Sequence, residues 1–490
     1  MFNHINQIRR SIYSNKIFKN SLFGIFSNIL QNIFFSVFFI IVARVYSSED
    51  FGNYVICNTI YSFILGFSTL GLGNWFIREL KNYDKRELLV AKFLKIQFLL
   101  GCFFYIINII ISCSIYDSPF IRIMSLIFGL NIITDNLIYV VKSIGIADLR
   151  QEKTYIFSTL ESLFKFLIAC LIIFIPVSMK SLVFLLIVLR FSILYLFMNY
   201  GIETKISLKN ILNSKSDIHE LLRIIKSNWS FVVIATIAVV NWRIGNIFVS
   251  KYLTISDVGF YEVSFKLLSI AYIIPVVVST SVYPFLVDIV KENKLMKYYP
   301  NLFRIFNFYG FFAFSIIYSF SDYLIPLLFG KQFSIVSIYC KQMFVVMLFF
   351  PSVLLQANLM IAVKKEKTDM YCNLFSLCLN ILICAIALPL IKSVSVVIFA
   401  IVASFALFHV IQDVVLIRSN IISVFHVFSH YFITIICLVF YYFISKVLNG
   451  WATFSMFWTL VLIISFLLIK SDRNKNLLRT NLFKILPDKI

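Results

Sequence analysis

The sequence predicts an all-α polytopic membrane protein with fourteen transmembrane helices, arranged as two parallel six-helix repeats around a central cleft and followed by a C-terminal helix pair. Three observations support this class. Of the 490 residues, 60% are apolar and 14% are charged, whereas a soluble domain is about half apolar and a quarter charged. Many stretches reach the roughly 20 mostly apolar residues that a membrane crossing needs. One segment of the chain also recurs, in similar form, in its second half.

Fourteen segments meet the length requirement, some of them only when a charge is tolerated. The first seven spans are expected at Ser21 to Val42, Phe51 to Ile77, Phe93 to Ser114, Pro119 to Val141, Tyr155 to Phe174, Ser181 to Tyr200 and Trp229 to Val249. The other seven are expected at Val258 to Leu286, Asn301 to Phe320, Ser334 to Val363, Thr368 to Leu390, Val394 to Ile417, Phe428 to Val447 and Trp451 to Ile469.

These spans divide the chain into six units. The units are a cytoplasmic tail (1–20), an N-terminal six-helix half (21–200), a cytoplasmic amphipathic linker (201–228), a C-terminal six-helix half (229–418), two additional transmembrane helices (426–470) and a basic cytoplasmic tail (471–490). In the linker, Asp217 and Glu220 have the spacing of a capping box, and Ile218, Leu221 and Ile225 form an apolar stripe. We expect this helix to lie on the membrane surface, with a solvated helical linker as the alternative.

Lys and Arg are distributed unequally between the two sets of loops that alternating spans create. The loops and tails on the amino-terminal side hold 31 of these residues, and the opposite loops hold 5. By the positive-inside rule, both termini are cytoplasmic. Eight basic residues lie inside spans: Arg122, Lys165, Arg190, Arg243, Lys266, Arg304, Lys341 and Lys446.

Several function classes are not expected from this composition. The formal charge of +21 lies mostly in cytoplasmic loops, where anionic lipid accounts for it, so nucleic acid is not an expected partner. The nine cysteines are scattered and form no CxxC motif, and the one-turn pair His426 and His430 has no third ligand nearby, so we expect neither a metal nor a cofactor. There is no GxxxxGK[ST] or GxSxG motif, so we expect no catalytic residue and no enzyme.

The repeated segment is ARVYSSEDFGNY at 43–54 and SKYLTISDVGFY at 250–261. A shift of 207 pairs Gly52 with Gly259 and Tyr54 with Tyr261, and it also pairs Pro119 with Pro326 in a second loop. Because each unit has an even number of spans, the two halves keep the same orientation and leave a cleft between them. Many transporters that use alternating access are built in this way.

The sequence resembles the polysaccharide flippases of the multidrug/oligosaccharidyl-lipid/polysaccharide exporter superfamily. The resemblance rests on the first span and ARVYSSEDFGNY, on LGLGNWFIREL after span 2, on the run WSFVVIATIAVVNWRIGNIFVSKYLTISDVGFYEVSFKLL, and on LIPLLFGKQFSIVSIY with the basic KKEKT loop. It covers roughly residues 18–418. The core of this superfamily has twelve spans, and here two further spans follow Arg418. The additional pair would either form a groove on the lipid side or only pack against the core.

This resemblance implies a flippase of the bacterial cell inner membrane. Its cargo would be an undecaprenyl-pyrophosphate-linked oligosaccharide repeat unit, carried from the cytoplasmic to the periplasmic leaflet for O-antigen or capsule assembly. Spans 1, 2, 7 and 8 would line the cavity. Membrane lipids would be partners, together with the polymerase and the chain-length regulator of the same pathway.

An excess of basic residues inside the spans suits such an anionic cargo, because an uncompensated charge at the membrane centre costs on the order of 3 kcal/mol. Lys and Arg near helix ends reach the interface instead. The expected substrate-binding residues are Arg243, Lys266, Asn28, Asn32, Asn246, Arg190 and Lys341. Asn28, Asn32 and Ser36 form a polar stripe on span 1 at four-residue spacing, and Glu262 has the i, i+4 spacing that pairs it with Lys266. The acids expected to take part in ion coupling are Asp135, Asp413 and Glu262.

Two alternative functions are weighed against this interpretation. An ion-coupled multidrug exporter of the same superfamily would need a buried carboxylate in the first spans, and spans 1 and 2 contain none. A polysaccharide polymerase or ligase usually has a long periplasmic loop for its chemistry, and every outer loop here is short.

The orientation can be tested with topology reporters. A reporter fused after Lys331 should be periplasmic, and one fused after Lys215 should be cytoplasmic. The reason is that the basic residues are concentrated in the loops on the side of the amino terminus, which include Lys215. Alkaline phosphatase and green fluorescent protein activities measure the two locations. A periplasmic signal after Lys215 would mean that the spans are miscounted.

Overall fold

The fold was determined as a computed structural model, which describes residues 2–82, 86–148, 150–201, 223, 224, 226, 229–292 and 294–463. Within these residues the chain is helical and contains no β-strand. The first group of helices is α1 (Phe2–Val45), α2 (Ser48–Ser68), α3 (Gly73–Asn82), α4 (Arg86–Ile115), α5 (Pro119–Ala147), α6 (Glu152–Phe174) and α7 (Met179–Tyr200). The second group is α8 (Trp229–Tyr252), α9 (Ile255–Lys291), α10 (Leu295–Phe329), α11 (Val336–Met343), α12 (Phe350–Ala362), α13 (Glu366–Ile391), α14 (Val394–Arg418), α15 (Val424–Ile444) and α16 (Gly450–Ile463).

Eleven of the described helical segments are long and apolar enough to cross a membrane. Helices also occupy the positions predicted for spans 2, 7 and 14, namely α2, α8 and the described part of α16, but they are not among the eleven. The chain is therefore a multi-pass membrane protein. The predicted amphipathic linker, except for three residues, and the basic tail lie outside the described residues, whereas the predicted tail at 1–20 forms the start of α1.

Span 2 is shorter than the predicted range of Phe51 to Ile77. It ends at Ser68, where Leu70 and Gly71 adopt positive φ angles of 49° and 60°. Such angles cannot continue a right-handed helix, so the chain turns and forms the separate helix α3. Charged residues such as Glu79 on one side and the buried Phe76 and Leu80 on the other make α3 amphipathic rather than membrane-spanning.

Span 10 was predicted as one helix but consists of three pieces. A 3-10 segment, Phe344–Leu348, lies between α11 and α12. Against it packs Gly310 of α10, where an added Cβ would lie 2.2 Å from the carbonyl oxygen of Met347. The tighter winding of a 3-10 segment changes the direction in which the following side chains point, and it sets which face of α12 meets α14.

Within each group the helices pack closely on one another. In the first group α1 lies against α6, and α5 lies against α2, α4 and α7. In the second group α9 lies against α11 and α12, and α13 lies against α14. The two groups meet mainly where α2 contacts α8 and α9, with smaller contacts of α1 with α9 and α10. This meeting of the groups places the repeated segments in contact.

We call this contact the repeat seam, comprising residues 43–54 of the first group and residues 250–261 and 327–333 of the second. At its centre the Ser48 and Ser256 hydroxyl oxygens are 3.3 Å apart. A Cβ at Gly52 would lie 2.1 Å from the carbonyl oxygen of Ile255, and one at Gly259 would lie 3.3 Å from the carbonyl oxygen of Ser48. The two glycines allow the first turns of α2 and α9 to pack backbone to backbone.

Hydrogen bonds and aromatic rings close the repeat seam around these glycines. Gln332 donates from Nε2 to the carbonyl oxygens of Ala43 and Tyr46 at 3.1 and 3.0 Å, and the Arg44 guanidinium donates to that of Leu327 at 2.9 Å. Four buried rings interlock across the seam: Phe39, Phe51, Phe329 and Phe333.

At one edge of the seam the Tyr116 hydroxyl bonds to that of Ser250. Burial raises the pKa of the Tyr116 phenol to about 12, so the phenol keeps its proton at neutral pH. These five hydrogen bonds between the two groups therefore all lie at the repeat seam or at its edge.

We predict that Gly52→Ala disturbs the seam more than Gly259→Ala, because the first Cβ meets a backbone oxygen at 2.1 Å and the second meets one at 3.3 Å. The measurement is oxidative cross-linking of a Ser48→Cys, Ser256→Cys pair in membranes. Gly52→Ala should lower the cross-linked fraction at least about twofold, and Gly259→Ala should change it less. Single-cysteine variants control for pairing with native cysteines. Equal yields in both alanine variants would contradict the close backbone contact.

Candidate functional site

The face of α1 that meets the second group carries both polar and aromatic residues. Asn28, Asn32, Phe35 and Phe39 follow one another at spacings of three and four, which places them on one side of the helix. Asn28 is exposed and Asn32 is half-buried. The predicted polar stripe of span 1 therefore lies in line with two rings that face α9.

Lys266 of α9 approaches this face from the second group. Its ammonium nitrogen lies 4.2 Å from the centre of the Phe35 ring and 6.0 Å from that of Phe39. A cation over an aromatic ring gains about 0.5–2 kcal/mol, depending on desolvation. Among the described residues, no carboxylate lies within ion-pair distance of Lys266. The expected i, i+4 pair between Glu262 and Lys266 does not form, because the ammonium turns toward α1.

Glu262 instead faces α8. Its carboxylate accepts a hydrogen bond of 2.6 Å from Nδ2 of the buried Asn246 and lies 3.7 Å from the Arg243 guanidinium. Asn246 thus holds the carboxylate rather than facing open space, although we predicted it as a substrate ligand. Arg243, Lys266 and Glu262 together carry two positive charges and one negative charge. This cationic cluster has a surplus positive charge beside the polar face of α1.

Arg190 lies in a second polar site, inside the first group of helices. Its guanidinium bridges the carboxylates of Asp135 and Glu161. Glu161 also binds Lys165, one turn later on α6, at 2.7 Å. The Tyr61 hydroxyl donates to Asp135. The two acids and two bases balance one another, so the charge network of this site is neutral.

A cavity of about 210 Å³ adjoins the neutral network. Its walls come from α1, α2, α5, α6 and α7 and include Phe35, Asn58, Tyr61, Asn131, Glu161 and Arg190. Phe35 therefore contacts Lys266 of the cationic cluster and also forms a wall of the cavity of the neutral network. A movement of this ring would therefore change both the surroundings of Lys266 and the shape of the cavity.

The two remaining predicted residues lie elsewhere. Lys341 binds the largely exposed Asp322 at 2.6 Å. Asp413 is buried in the second group, where the Gln356 amide and the Tyr431 hydroxyl donate to it. The structure therefore brings Arg243, Lys266, Glu262 and Asn246 together beside Phe35 of α1, the helix that also carries Asn28 and Asn32. It brings Asp135 and Arg190 together in another place, and it leaves Lys341 and Asp413 apart from both.

Three residues at these sites were missed in the sequence. Phe35 follows Asn28 and Asn32 at helical spacing on the same face. It was missed because an apolar residue does not stand out in an apolar span. His409 precedes Asp413 by one turn, so the spacing alone points to their contact. Tyr61 gives no comparable signal, because its partner Asp135 is 74 residues away in the chain.

A comparison with protein families identifies one match. The family described as "Polysaccharide biosynthesis protein" matches residues 41–338, more than half of the chain. The chain belongs to this family. The matched region of this polysaccharide biosynthesis protein includes α2 to α10, and hence the cationic cluster, the neutral network and all of the repeat seam. Among curated proteins no match is found.

Several solved structures share its fold. An inward-facing multidrug resistance MATE family transporter of the MOP superfamily aligns with a TM-score of 0.64 and 10% identity over 80% of this chain and 94% of its own. The lipid II flippase MurJ, in an inward closed conformation, aligns with a TM-score of 0.62 and 11% identity over 93% of this chain and 99% of its own. A MOP superfamily transporter from Pyrococcus furiosus aligns with a TM-score of 0.53 and 9% identity over 83% of this chain and 95% of its own. At these identities the likeness shows the fold, which is that of MOP-superfamily transporters.

We predict that Arg190→Gln destabilises the protein, because it leaves Asp135 buried without a positive partner and Glu161 with Lys165 alone. The expected loss is about 3–5 kcal/mol in the free energy of unfolding. Adding Asp135→Asn and Glu161→Gln should restore part of it. Thermal unfolding of the purified protein in detergent, followed by size-exclusion chromatography, measures the change.

The control for this prediction is Lys341→Gln, which breaks a pair with an exposed partner and should cost less than about 1 kcal/mol. If Arg190→Gln proved as mild as the control, the guanidinium would not hold the neutral network together.

Proposed function

We propose that the protein is a flippase that moves undecaprenyl-pyrophosphate-linked oligosaccharide repeat units across the bacterial inner membrane, for O-antigen or capsule assembly. Both termini are cytoplasmic in this proposal, and the repeat seam faces the periplasm, in accord with the excess of Lys and Arg on the opposite side. The polysaccharide biosynthesis family and the fold shared with a lipid II flippase support a cargo of this class. The polymerase and the chain-length regulator are proposed partners.

The observation that carries the proposal is the cationic cluster beside α1. A pyrophosphate is an anion, and a fixed surplus of positive charge lowers the free energy of taking it into a bilayer. Arg243 presents a planar fork suited to two phosphate oxygens, and Lys266 presents a point charge. On α1, the side-chain amides of Asn28 and Asn32 would bind hydroxyl groups of the sugars in the cargo.

The contact of Lys266 with Phe35 has a role in this scheme. A cation over a ring is held weakly compared with a cation in a buried ion pair, so an arriving phosphate can displace the ring. Glu262 is held by Asn246 and partly balances Arg243 until the cargo binds. The neutral network around Arg190 gains less from an anion, because both its carboxylates would repel the phosphate.

Alternating access follows from the arrangement of the two groups as repeated six-helix halves with an additional helix pair. With the repeat seam closed, the cargo enters from the cytoplasmic side, and release requires the seam to open while the other end closes. Asp135, Glu262 and Asp413 are the proposed sites of ion coupling, since protonation of each would release a polar partner. A cationic-drug exporter is disfavoured, because the carboxylates beside the 210 Å³ cavity are already neutralised.

The test is complementation of surface-polysaccharide display in a flippase-deficient strain. Arg243→Ala and Lys266→Ala should each reduce display at least about tenfold at normal membrane abundance. Arg243→Lys should retain more function than Arg243→Gln, because the sign of the charge matters more than its shape. Lys341→Ala, outside the cationic cluster, is the control and should retain display. Full display by an Arg243→Ala, Lys266→Ala double variant would refute the cationic-cluster model.

A further inference from the structure

A second buried polar cluster joins the terminal helix pair to the rest of the protein. It lies between α12, α14 and α15, and its main members are His409, Asp413 and Tyr431. His409 Nδ1 is 2.8 Å from Asp413 Oδ2 and 2.7 Å from the Tyr431 hydroxyl. The Tyr431 hydroxyl in turn donates to Asp413 at 2.7 Å. The side chains of His409 and Asp413 are 0% and 2% exposed, so solvent contributes almost nothing to their balance.

The hydrogen bonds around His409 indicate its protonation state. Nε2 is 2.9 Å from the Ser352 hydroxyl, whose single proton can be donated either to Nε2 or to the carbonyl oxygen of Phe349, 2.8 Å away. When the carbonyl receives it, the Ser352 oxygen accepts from Nε2. On the other side, Nδ1 faces a carboxylate oxygen, which also accepts. Both ring nitrogens then carry protons, and the ring is an imidazolium.

Charges on the surrounding helices support a single positive charge at this place. From α12 come Ser352 and Gln356, and Gln356 donates to Asp413. From α10 comes the Tyr299 hydroxyl, while Arg304 is exposed on the surface of that helix. From α13, Asp369 reaches the cluster only through Gln412. No Lys or Arg forms an ion pair with Asp413 among the described residues.

The adjacent ring of His430 on α15 gives a second, independent observation. It stacks on His409 at 4.9 Å between ring centres and is 3% exposed, and neither of its nitrogens has a partner among the described residues. Two imidazolium rings stacked this closely would repel each other, so at most one of them is charged. His426, one turn earlier on α15, has a side chain outside the described set.

A small cavity lies beside this region, at the α14–α15 turn. It measures about 30 Å³ and is lined by Tyr299, Phe303, Ile422 and Ser423, which is enough for a water molecule. Phe303 also contacts both histidine rings.

We propose that His409 is a proton-binding site whose imidazolium, paired with Asp413 and bridged by Tyr431, fastens the terminal helix α15 to the second group of helices. Loss of the proton leaves the Asp413 carboxylate buried without a positive partner, and the docking of α15 weakens. The sign is fixed by this chemistry: the helix is held at lower pH and loosens as pH rises. The proposal concerns the attachment of α15 and does not depend on which cargo the protein carries.

The first test measures the proton directly. The chain has five histidines, so ¹⁵N-histidine labelling of the full-length protein in nanodiscs gives a small set of signals, and His409→Gln assigns the one of interest. At about pH 6 we expect His409 to show two protonated nitrogens and His430 to be neutral. A neutral single tautomer of His409 at this pH would overturn the proposal. A response of its signals to sodium in place of choline at fixed pH would also overturn it, by indicating a metal-cation site.

The second test measures the docking of α15. Cys437 on α15 and Cys57 on α2 are both buried, and labelling by N-ethylmaleimide, quantified by mass spectrometry, gives the ratio of their exposures. Because thiol reactivity itself rises with pH, the ratio corrects for it. We expect the Cys437 to Cys57 ratio to rise at least about threefold between about pH 6 and 9.

Variants keep this second test decisive. Asp413→Asn should give a high ratio with little pH dependence, and Tyr431→Phe, which keeps the charge pair and removes only the bridging hydroxyl, should retain part of the dependence. Cys437 labelling that follows Cys57 at every pH in the unmodified chain would mean that the cluster is not a proton-dependent fastening.

Discussion

Charged side chains inside a bilayer must be compensated, and the arrangement of this protein depends on how that is done at three places. At the neutral network, Arg190 is shared by two carboxylates and the charges cancel. At the buried cluster of α14 and α15, an imidazole and a carboxylate meet. Only at the cationic cluster does a surplus remain, with Lys266 over an aromatic ring. Compensation therefore separates residues that hold helices together from residues available to an anionic ligand.

This separation explains why a count of buried basic residues alone is a poor guide to a site. Arg190 and Lys266 look equivalent in the sequence, since each lies well inside an apolar span. A buried ion pair contributes little net stability, but breaking it is costly, so Arg190 is committed to its partners. Lys266 lies over aromatic rings instead, a contact worth about a kilocalorie per mole, and in the proposed function it exchanges this contact for a phosphate.

Much of the fold could be predicted, because apolar length and basic loops are imposed by the membrane itself. The all-helical class and most span positions are confirmed. The errors lie where the backbone departs from a regular helix: α2 ends early at residues with positive φ, and a 3-10 segment packed on Gly310 interrupts the predicted span 10. The pairing of Asp135 with Arg190 could not be predicted, because residues 55 positions apart share no local signal. The approach of Lys266 to Phe35 requires the packing of α1 on α9, which sequence spacing does not give.

The repeat seam also has a consequence for how the chain is assembled. Ser48 and Ser256 are 208 residues apart, and Arg44 meets Leu327 across an interval of 283. During synthesis α1 and α2 enter the membrane long before α9 and α10 exist. Contacts between distant segments form late, so the glycine surface of α2 and the rings of Phe39 and Phe51 must first be covered by lipid or by the insertion machinery. Final assembly is then an exchange of these temporary neighbours for the second group of helices.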